Sequence, residues 1–258
     1  MLAPWIGDEA ARRGLPWGRV PPWEGLRARV RLMPGLCRPG PAGCLVCRGP
    51  AGPGYALCYQ CAQHETLAHG LLADAVVPIS YAVRGSAFAR DLWRYKSWQD
   101  TDVAVRAALL ALLLVFLNGH GDCVWHAARM PSPDRLVVVP SGSGRLGPHP
   151  LRGMVTPYLR LPPIPLTLRP GEQGRDLNTG RFAVGAPVAG ANVLLLDDTW
   201  VSGGSVQSAA AALKLAGAAR VAAVLLGRHV NPASPGAAAL TAAGGRYDPA
   251  ECAICGNL

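Results

Sequence analysis

The stretch NVLLLDDTWVSGGSVQSAAAALKLAGAARVAAVLLGR, residues 192–228, decides the fold. Its beginning, 192–198, and its end, 220–228, are near-continuous apolar runs of the kind found in strands buried on both faces of a parallel sheet. The Ala-rich stretch between them predicts a crossover helix that ends near Gly217. This order predicts an α/β fold with a doubly wound, mainly parallel sheet, on which ligands bind at the carboxyl ends of the strands.

Further strand and helix patterns alternate ahead of this stretch. Short apolar runs predict strands at 76–81, 135–140 and 165–169, and helical patterns occur at 86–98 and 102–117. The longest apolar run is much shorter than the ~20 residues that cross a bilayer, so we expect a buried helix and no membrane span. Because no secretory signal is visible, we also expect the chain to be cytoplasmic.

The composition favours a folded protein with an anionic ligand or partner. The chain has 258 residues, 50% of them hydrophobic, which is enough for one substantial core and a small appendage. Its formal net charge of +9 favours an anionic ligand or a polyanionic partner such as nucleic acid. The alternative is that the Arg-, Ala- and Pro-rich composition reflects genomic bias alone.

The sequence divides into four parts. Residues 1–43 are rich in Pro, Trp and Arg without a sustained period, which predicts a loosely ordered segment. A cysteine-rich module follows at 44–70, and the α/β domain occupies 71–230. The remainder, 231–258, forms a carboxyl-terminal tail with a CxxC motif.

The cysteine-rich module has the spacing of a structural zinc site. Cys44-x-x-Cys47 and Cys58-x-x-Cys61 supply four thiolates from two tight turns. In a reducing cytoplasm this spacing favours zinc over disulfides, and metal binding of roughly 10 to 16 kcal/mol folds a module too small for its own core. We therefore expect a zinc-ribbon-like module, with a redox dithiol or chance spacing as the alternative.

The remaining cysteines and histidines give weaker signals. Cys252 and Cys255 form another CxxC pair, which either completes a second site with Cys37 or has no role. We expect Cys123 to be an ordinary buried thiol. Three histidines have no obvious partner in sequence and receive no catalytic role: His126, His149 and His229.

The loop VSGGS follows the central strand and has the character of a phosphate cradle. Gly203 and Gly204 let the backbone turn close to a ligand, while Ser202 and Ser205 add hydroxyl donors. The next helix directs its free N–H groups and positive dipole end at the same place. The loop is not a Walker A motif, because the GxxxxGK[ST] spacing and its lysine are absent.

Two acids stand directly before this cradle. Asp197 and Asp198 would repel a phosphate, so they require another ligand. Carboxylates accept hydrogen bonds from the vicinal hydroxyls of a ribose and support a Mg²⁺-bound sugar phosphate. Together the acids and the cradle match ribose 5-phosphate. The alternative is that the acids cap a strand and a helix, and that the glycines form a plain turn.

These residues carry a resemblance to a known family. LLLDDTWVSGGS is similar to the ribose-phosphate signature of type I phosphoribosyltransferases, and within that superfamily the chain most resembles the ComF group, the late-competence protein and its actinobacterial relatives. The paired CxxC motifs and the segments DLWRYKSW, VVVPSGSGR and GRDLNTGRFAV extend the resemblance over roughly 44–228.

The resemblance implies a site for phosphoribosyl pyrophosphate with Mg²⁺, and transfer of phosphoribosyl to a nitrogen nucleophile. Asp197 and Asp198 would be the catalytic pair that holds the ribose hydroxyls. The phosphate groups would be bound by a larger set: Val201, Ser202, Gly203, Gly204 and Ser205 at the 5-phosphate, Ser141, Gly142 and Ser143 at the pyrophosphate, and Arg145, Arg175 and Arg181 as cations. Val201 stands where the family often has a hydroxyl residue, which favours binding over turnover.

The family name implies a rival function, a catalytically weak protein that works with single-stranded DNA or with competence and recombination proteins. The basic helical stretch 86–98 suits it, because aromatic side chains would stack on bases and cations would meet phosphates. The stacking residues would be Trp93, Tyr95 and Trp98, and the cations Arg94 and Lys96. The alternative for this stretch is an amphipathic helix packed on the sheet.

Overall fold

The computed structural model describes residues 35, 43–68, 70–96, 103–141 and 149–255. Most of the predicted amino-terminal segment therefore lies outside the described residues. The helices are α1 (Tyr59–Ala68), α2 (Ala87–Arg94), α3 (Val103–Ala127), α4 (Pro150–Val155), α5 (Gly204–Leu215) and α6 (Ala237–Gly244). The strands are β1 (Ala75–Val83), β2 (Arg135–Val138), β3 (Leu166–Leu168), β4 (Phe182–Val184), β5 (Asn192–Trp200) and β6 (Arg220–Val230).

Four strands form a parallel sheet in the order β1-β6-β5-β2. The predicted strand, helix and strand are β5, α5 and β6, so the predicted mainly parallel α/β sheet is confirmed. The expected strand at 165–169 does not join this sheet. It pairs instead with β4 in a small antiparallel ribbon, because its short run lacks the continuous apolar character that a central strand needs.

Helices cover both faces of the sheet. Leu194, Leu196 and Val224 contribute to one core cluster together with α3, while Leu195 and Ala223 contribute to another together with α5. Successive side chains of a strand point to opposite faces, so the unbroken apolar runs of β5 and β6 follow from burial on two sides.

Helix α3 is longer than its sequence pattern predicts, since it continues beyond 117 to Ala127. Gly119 and Gly121 do not end it, because Val124 and Trp125 beyond them are buried and hold the last turns in the core. By length and composition α3 could cross a membrane, with a mean hydropathy of 1.9 over its most apolar window. In this fold 61% of that window is buried inside the protein, which matches the expected buried helix.

The register brings the ends of β2 and β5 together. Val138 pairs with Leu196, and the Val139 N–H donates to the Leu196 carbonyl at 2.9 Å. The residues that follow β2 therefore lie beside the acids of β5. Helix α5 begins at Gly204, four residues after β5 ends at Trp200, so both Gly-rich loops start from the same edge of the sheet.

Candidate functional site

A cavity of about 240 Å³ opens at this edge of the sheet. Eight residues predicted for the sugar-phosphate site line it: Ser141, Arg175, Asp197, Asp198, Val201, Ser202, Gly203 and Ser205. Three further predicted residues, Gly142, Ser143 and Arg145, lie outside the described residues. The cavity is also lined by Lys96 and His149, which sequence reasoning did not assign to this site.

Asp198 is the buried anchor of the cavity, with an exposed fraction of only 2%. Its Oδ1 lies 2.8 Å from Lys96 Nζ, and its Oδ2 accepts the Tyr95 hydroxyl at 2.5 Å and lies 3.2 Å from His149 Nε2. Burial alone would raise the pKa of Asp198, but the hydrogen bond from His149 and the charge of Lys96 hold it well below its usual range. Asp198 is therefore a permanent carboxylate that positions three other side chains.

His149 has a fixed orientation because both ring nitrogens have partners. It caps the start of α4, where its Nδ1 accepts the Leu151 N–H at 3.2 Å. A nitrogen that accepts carries no proton, so in the neutral ring Nε2 holds the proton and donates to Asp198. Sequence reasoning missed this residue. Its position directly before Pro150, at a helix start, was the one local signal.

Asp197 differs sharply from its neighbour. Its Oδ1 accepts the Asp198 backbone N–H at 2.8 Å, and within the described part of the chain no side chain donates to it. Burial, and next the charge of Asp198, raise the pKa of Asp197 to about 7. Asp198 thus stays charged at neutral pH, whereas Asp197 changes its charge there, because the environments of the two carboxylates differ.

The turn between β5 and α5 has a shape that requires glycine. Gly203 has a φ of 86°, and a Cβ there would lie 2.1 Å from the Trp200 ring. Both the left-handed backbone and the indole exclude a side chain. Beside it, Val201 is 49% exposed and gives the cavity an apolar surface without a hydrogen-bond donor.

A second backbone segment approaches the start of α5. The Ser202 hydroxyl donates to the Arg175 carbonyl at 2.9 Å, and a Cβ on Gly204 would lie 2.0 Å from that carbonyl oxygen. Arg181 is buried and donates to Ser205 Oγ at 3.4 Å; burial lowers its pKa. Arg181 therefore anchors this segment against α5, while Arg175 lines the cavity.

The residues predicted to contact nucleic acid point in different directions. Trp93 is 77% exposed and Arg94 is exposed beside it. Tyr95 is buried with its hydroxyl on Asp198, so the expectation that it stacks on bases is wrong. Lys96 reaches the cavity, and Trp98 lies outside the described residues. The helix packs on the sheet through Phe88 and Leu92.

The four predicted zinc ligands come together in one cluster. The sulfurs of Cys44, Cys47, Cys58 and Cys61 all lie within 4.8 Å of one another. Cys47 Sγ and Cys58 Sγ are 3.7 Å apart, close to the separation of about 3.7 Å that tetrahedral zinc with 2.3 Å bonds imposes. Hydrogen bonds among the thiols lower the pKa of Cys44 and raise the pKa of Cys61. The cluster can hold a metal ion.

This cysteine module supports the cavity through Arg228. The Arg228 guanidinium fills the space beside Gly49, where a Cβ would lie 2.1 Å from its Nη2. Its Nη1 donates to the carbonyls of Trp200 and Val201, each at 3.2 Å. The module thus packs behind the turn that forms the predicted phosphate cradle.

Comparison with known proteins gives a limited result. The chain is similar to the crystal structure of phosphoribosylpyrophosphate synthetase from Mycobacterium smegmatis, with 18% sequence identity over 62% of this chain and a TM-score of 0.29. The match covers 56% of that chain, so this protein spans little more than half of its length. No family model and no curated protein matches this chain.

Proposed function

We propose that the cavity binds the ribose 5-phosphate part of phosphoribosyl pyrophosphate, and that the chain is a ComF-like protein with a type I phosphoribosyltransferase domain. One observation carries the proposal. A single cavity is lined by Asp197, a carboxylate with a pKa of about 7, and by the hydroxyl and glycine turn 202–205 at a helix amino terminus. The carboxylate suits sugar hydroxyls, and the turn suits a phosphate.

The size and charge of the cavity support this ligand class. A volume of about 240 Å³ lies below the roughly 300–1,000 Å³ of drug-sized pockets, which favours a compact ligand such as a pentose phosphate. Lys96 and Arg175 line the cavity and supply positive charge for phosphate groups. Ser141, three residues after β2 ends at Val138, would face the pyrophosphate.

The acids also fit Mg²⁺. One atom each of His149, Asp197 and Asp198 lies within 4.8 Å of the other two. Three side chains already occupy the oxygens of Asp198, so Asp197 would hold the ion, directly or through water. Mg²⁺, when bound, would neutralise negative charge on the pyrophosphate.

In a transfer reaction, the residues of this chain would mainly position the sugar. Asp197 would accept hydrogen bonds from the ribose hydroxyls, and Asp198 would keep Lys96 and His149 in place. A nitrogen nucleophile would then displace pyrophosphate at the anomeric carbon, with Arg175 near the leaving group. Val201 supplies no hydroxyl to the cradle, which favours binding over turnover.

We assign structural zinc to the four-cysteine cluster. Four thiolates in tetrahedral reach fit zinc, and a reducing cytoplasm leaves them available for the metal. Through Arg228 the ion would stabilise the turn at Trp200 and Val201. Loss of zinc is therefore expected to weaken ligand binding as well as the fold of the module.

Calorimetric titration with phosphoribosyl pyrophosphate and Mg²⁺ tests the proposed function. The wild type should bind, and Asp197→Asn should lose at least tenfold in affinity. Glu65→Gln removes an exposed acid on α1 and is the matched control, which should bind like the wild type. If all three proteins bound the ligand with equal affinity, Asp197 would not be the residue that binds the ribose.

Single-stranded DNA binding is the second candidate, supported by the exposure of Trp93 beside Arg94. An exposed indole next to a cation suits a base and its phosphate. Binding of a single-stranded oligonucleotide that weakens with salt and is reduced by Trp93→Ala and Arg94→Ala would support it. If neither substitution reduced binding, Trp93 and Arg94 would not form the DNA-binding surface.

A further inference from the structure

A second group of metal-ligand side chains joins helix α3 to the carboxyl-terminal tail. A ring nitrogen of His120 and the sulfurs of Cys123, Cys252 and Cys255 all lie within 4.8 Å of one another. Cys255 Sγ is 3.0 Å from Cys252 Sγ, 3.4 Å from Cys123 Sγ and 3.2 Å from His120 Nδ1. Three thiols and one imidazole therefore converge on one point, although 129 residues or more separate the two halves in sequence.

The tail half of the cluster has the local geometry of a metal knuckle. Cys252 Sγ accepts the backbone N–H groups of Ile254 and Cys255, each at 3.3 Å. Such N–H donation to sulfur stabilises thiolate character and fixes the turn between the two cysteines. On the helix side, His120 and Cys123 are three residues apart and share one face of α3.

His120 presents the correct nitrogen to the cluster. Its Nε2 lies 3.1 Å from the Pro249 carbonyl, which can only accept, so Nε2 carries the proton. In the neutral ring this leaves the Nδ1 lone pair directed at the sulfurs. A ligating histidine commonly donates its other N–H to a carbonyl in this way. The ring is only 4% exposed, so its polar atoms need these partners.

A disulfide explains the cluster less well than a metal does. The sulfurs of Cys252 and Cys255 are close enough to be joined, but one bond would leave the Cys123 thiol and the His120 lone pair without a role. A tetrahedral ion engages all four groups at once. Three sulfurs and one imidazole are a set that zinc accepts in structural sites.

We propose that His120, Cys123, Cys252 and Cys255 bind a structural zinc ion that fastens the carboxyl-terminal tail to α3. This replaces the expectation that Cys37, which lies outside the described residues, completes the site. Cys123, expected to be an ordinary buried thiol, is half-buried with its sulfur 3.4 Å from that of Cys255, which favours a ligand role. A hydrogen bond already connects the two cysteine regions, because Arg48 Nη2 donates to the Ala253 carbonyl at 3.3 Å. By fixing the turn between Cys252 and Cys255, the zinc would hold this acceptor in place.

Metal analysis of the full chain tests this proposal. After loosely bound ions are removed, the wild type should retain about two equivalents of zinc. Cys252→Ser with Cys255→Ser should lose one equivalent and keep the other, and Cys44→Ser with Cys47→Ser is the matched control for the first site. A single equivalent in the wild type that is lost with Cys44→Ser and Cys47→Ser, or zinc content unchanged by the tail substitutions, would overturn the second site. So would a Cys252–Cys255 disulfide in freshly purified protein.

A conservative variant keeps the test decisive if the serine variants fail to fold. X-ray absorption at the zinc edge should report seven sulfurs and one nitrogen over the two sites of the wild type. His120→Cys should retain about two equivalents and convert the shell to sulfur alone. A nitrogen contribution that is absent from the wild type, or unchanged by His120→Cys, would contradict the assigned ligand set.

Discussion

Lys96 Nζ lies 2.8 Å from Asp198 Oδ1, so an ion pair joins the residues after α2 to the carboxyl end of β5. The same carboxylate accepts the Tyr95 hydroxyl. Asp198 therefore fixes the shape of the cavity, and the adjacent Asp197, which lines the cavity, is the proposed ligand-binding acid. The two acids should respond in opposite ways to substitution.

Asp198→Asn should lower the free energy of unfolding by about 2 kcal/mol, because it removes the charged acceptor of a buried network. Urea unfolding at pH 8 measures this change. The low pKa of Asp198 means that its stabilisation is present above the unfolded-state pKa and is lost as pH falls towards the folded-state value. A stability equal to that of Glu65→Gln would contradict the anchoring role.

Asp197→Asn should instead raise stability at pH 8. The pKa of Asp197 is raised to about 7, so its ionisation opposes folding as pH rises from about 4 to 7. The gain in stability over the wild type should therefore be present above pH 7 and shrink as pH falls towards 4. Thermal unfolding across this range measures the effect, and a gain that does not change with pH would contradict it.

Val201→Thr should strengthen binding of a sugar phosphate by about tenfold, because one hydrogen bond to a charged group contributes about 1.5 kcal/mol. Val201 is exposed in the cavity, so the folded state should tolerate the change. Calorimetry with ribose 5-phosphate measures the affinity. Val103→Thr, at an exposed position on α3, is the control that should leave affinity unchanged.

Gly204→Ala should disrupt the packing of α5 against the neighbouring backbone, since its Cβ would collide with the Arg175 carbonyl. We expect a lower melting temperature and weaker ligand binding. Gly153→Ala, within α4, is the matched control, because a Cβ at that position would have no atom within 4 Å. In a helix, alanine is more stable than glycine by about 0.5 to 1 kcal/mol. Equal melting temperatures for the two variants would contradict the close approach.

The sequence predicts the central fold well because the signals for β5, α5 and β6 are contiguous. Apolar runs report burial on both faces, and the Gly-rich turn marks where the helix begins. The length of α3 was harder to predict, since Gly119 and Gly121 suggest an end that tertiary packing of Trp125 overrides.

The candidate site was predictable where its residues are neighbours in sequence, or where the family resemblance pointed to them, as it did for Ser141 and Arg175. Asp197 and the turn 202–205 were identified, but the Tyr95 contact with Asp198 spans 103 residues and depends on how α2 packs on the sheet. The second cysteine cluster had an available signal. His120-x-x-Cys123 has the spacing of half a metal site, and it would have suggested a partner for the CxxC pair of the tail.

A crystal structure of the protein soaked with Mg²⁺ and phosphoribosyl pyrophosphate tests the central claim most directly. We predict that the 5-phosphate lies on the turn 202–205 and that the ribose hydroxyls lie within hydrogen-bond distance of Asp197, with Lys96 still paired to Asp198. A ligand bound with its phosphate away from this turn, or an empty cavity at saturating ligand, would contradict the proposed function.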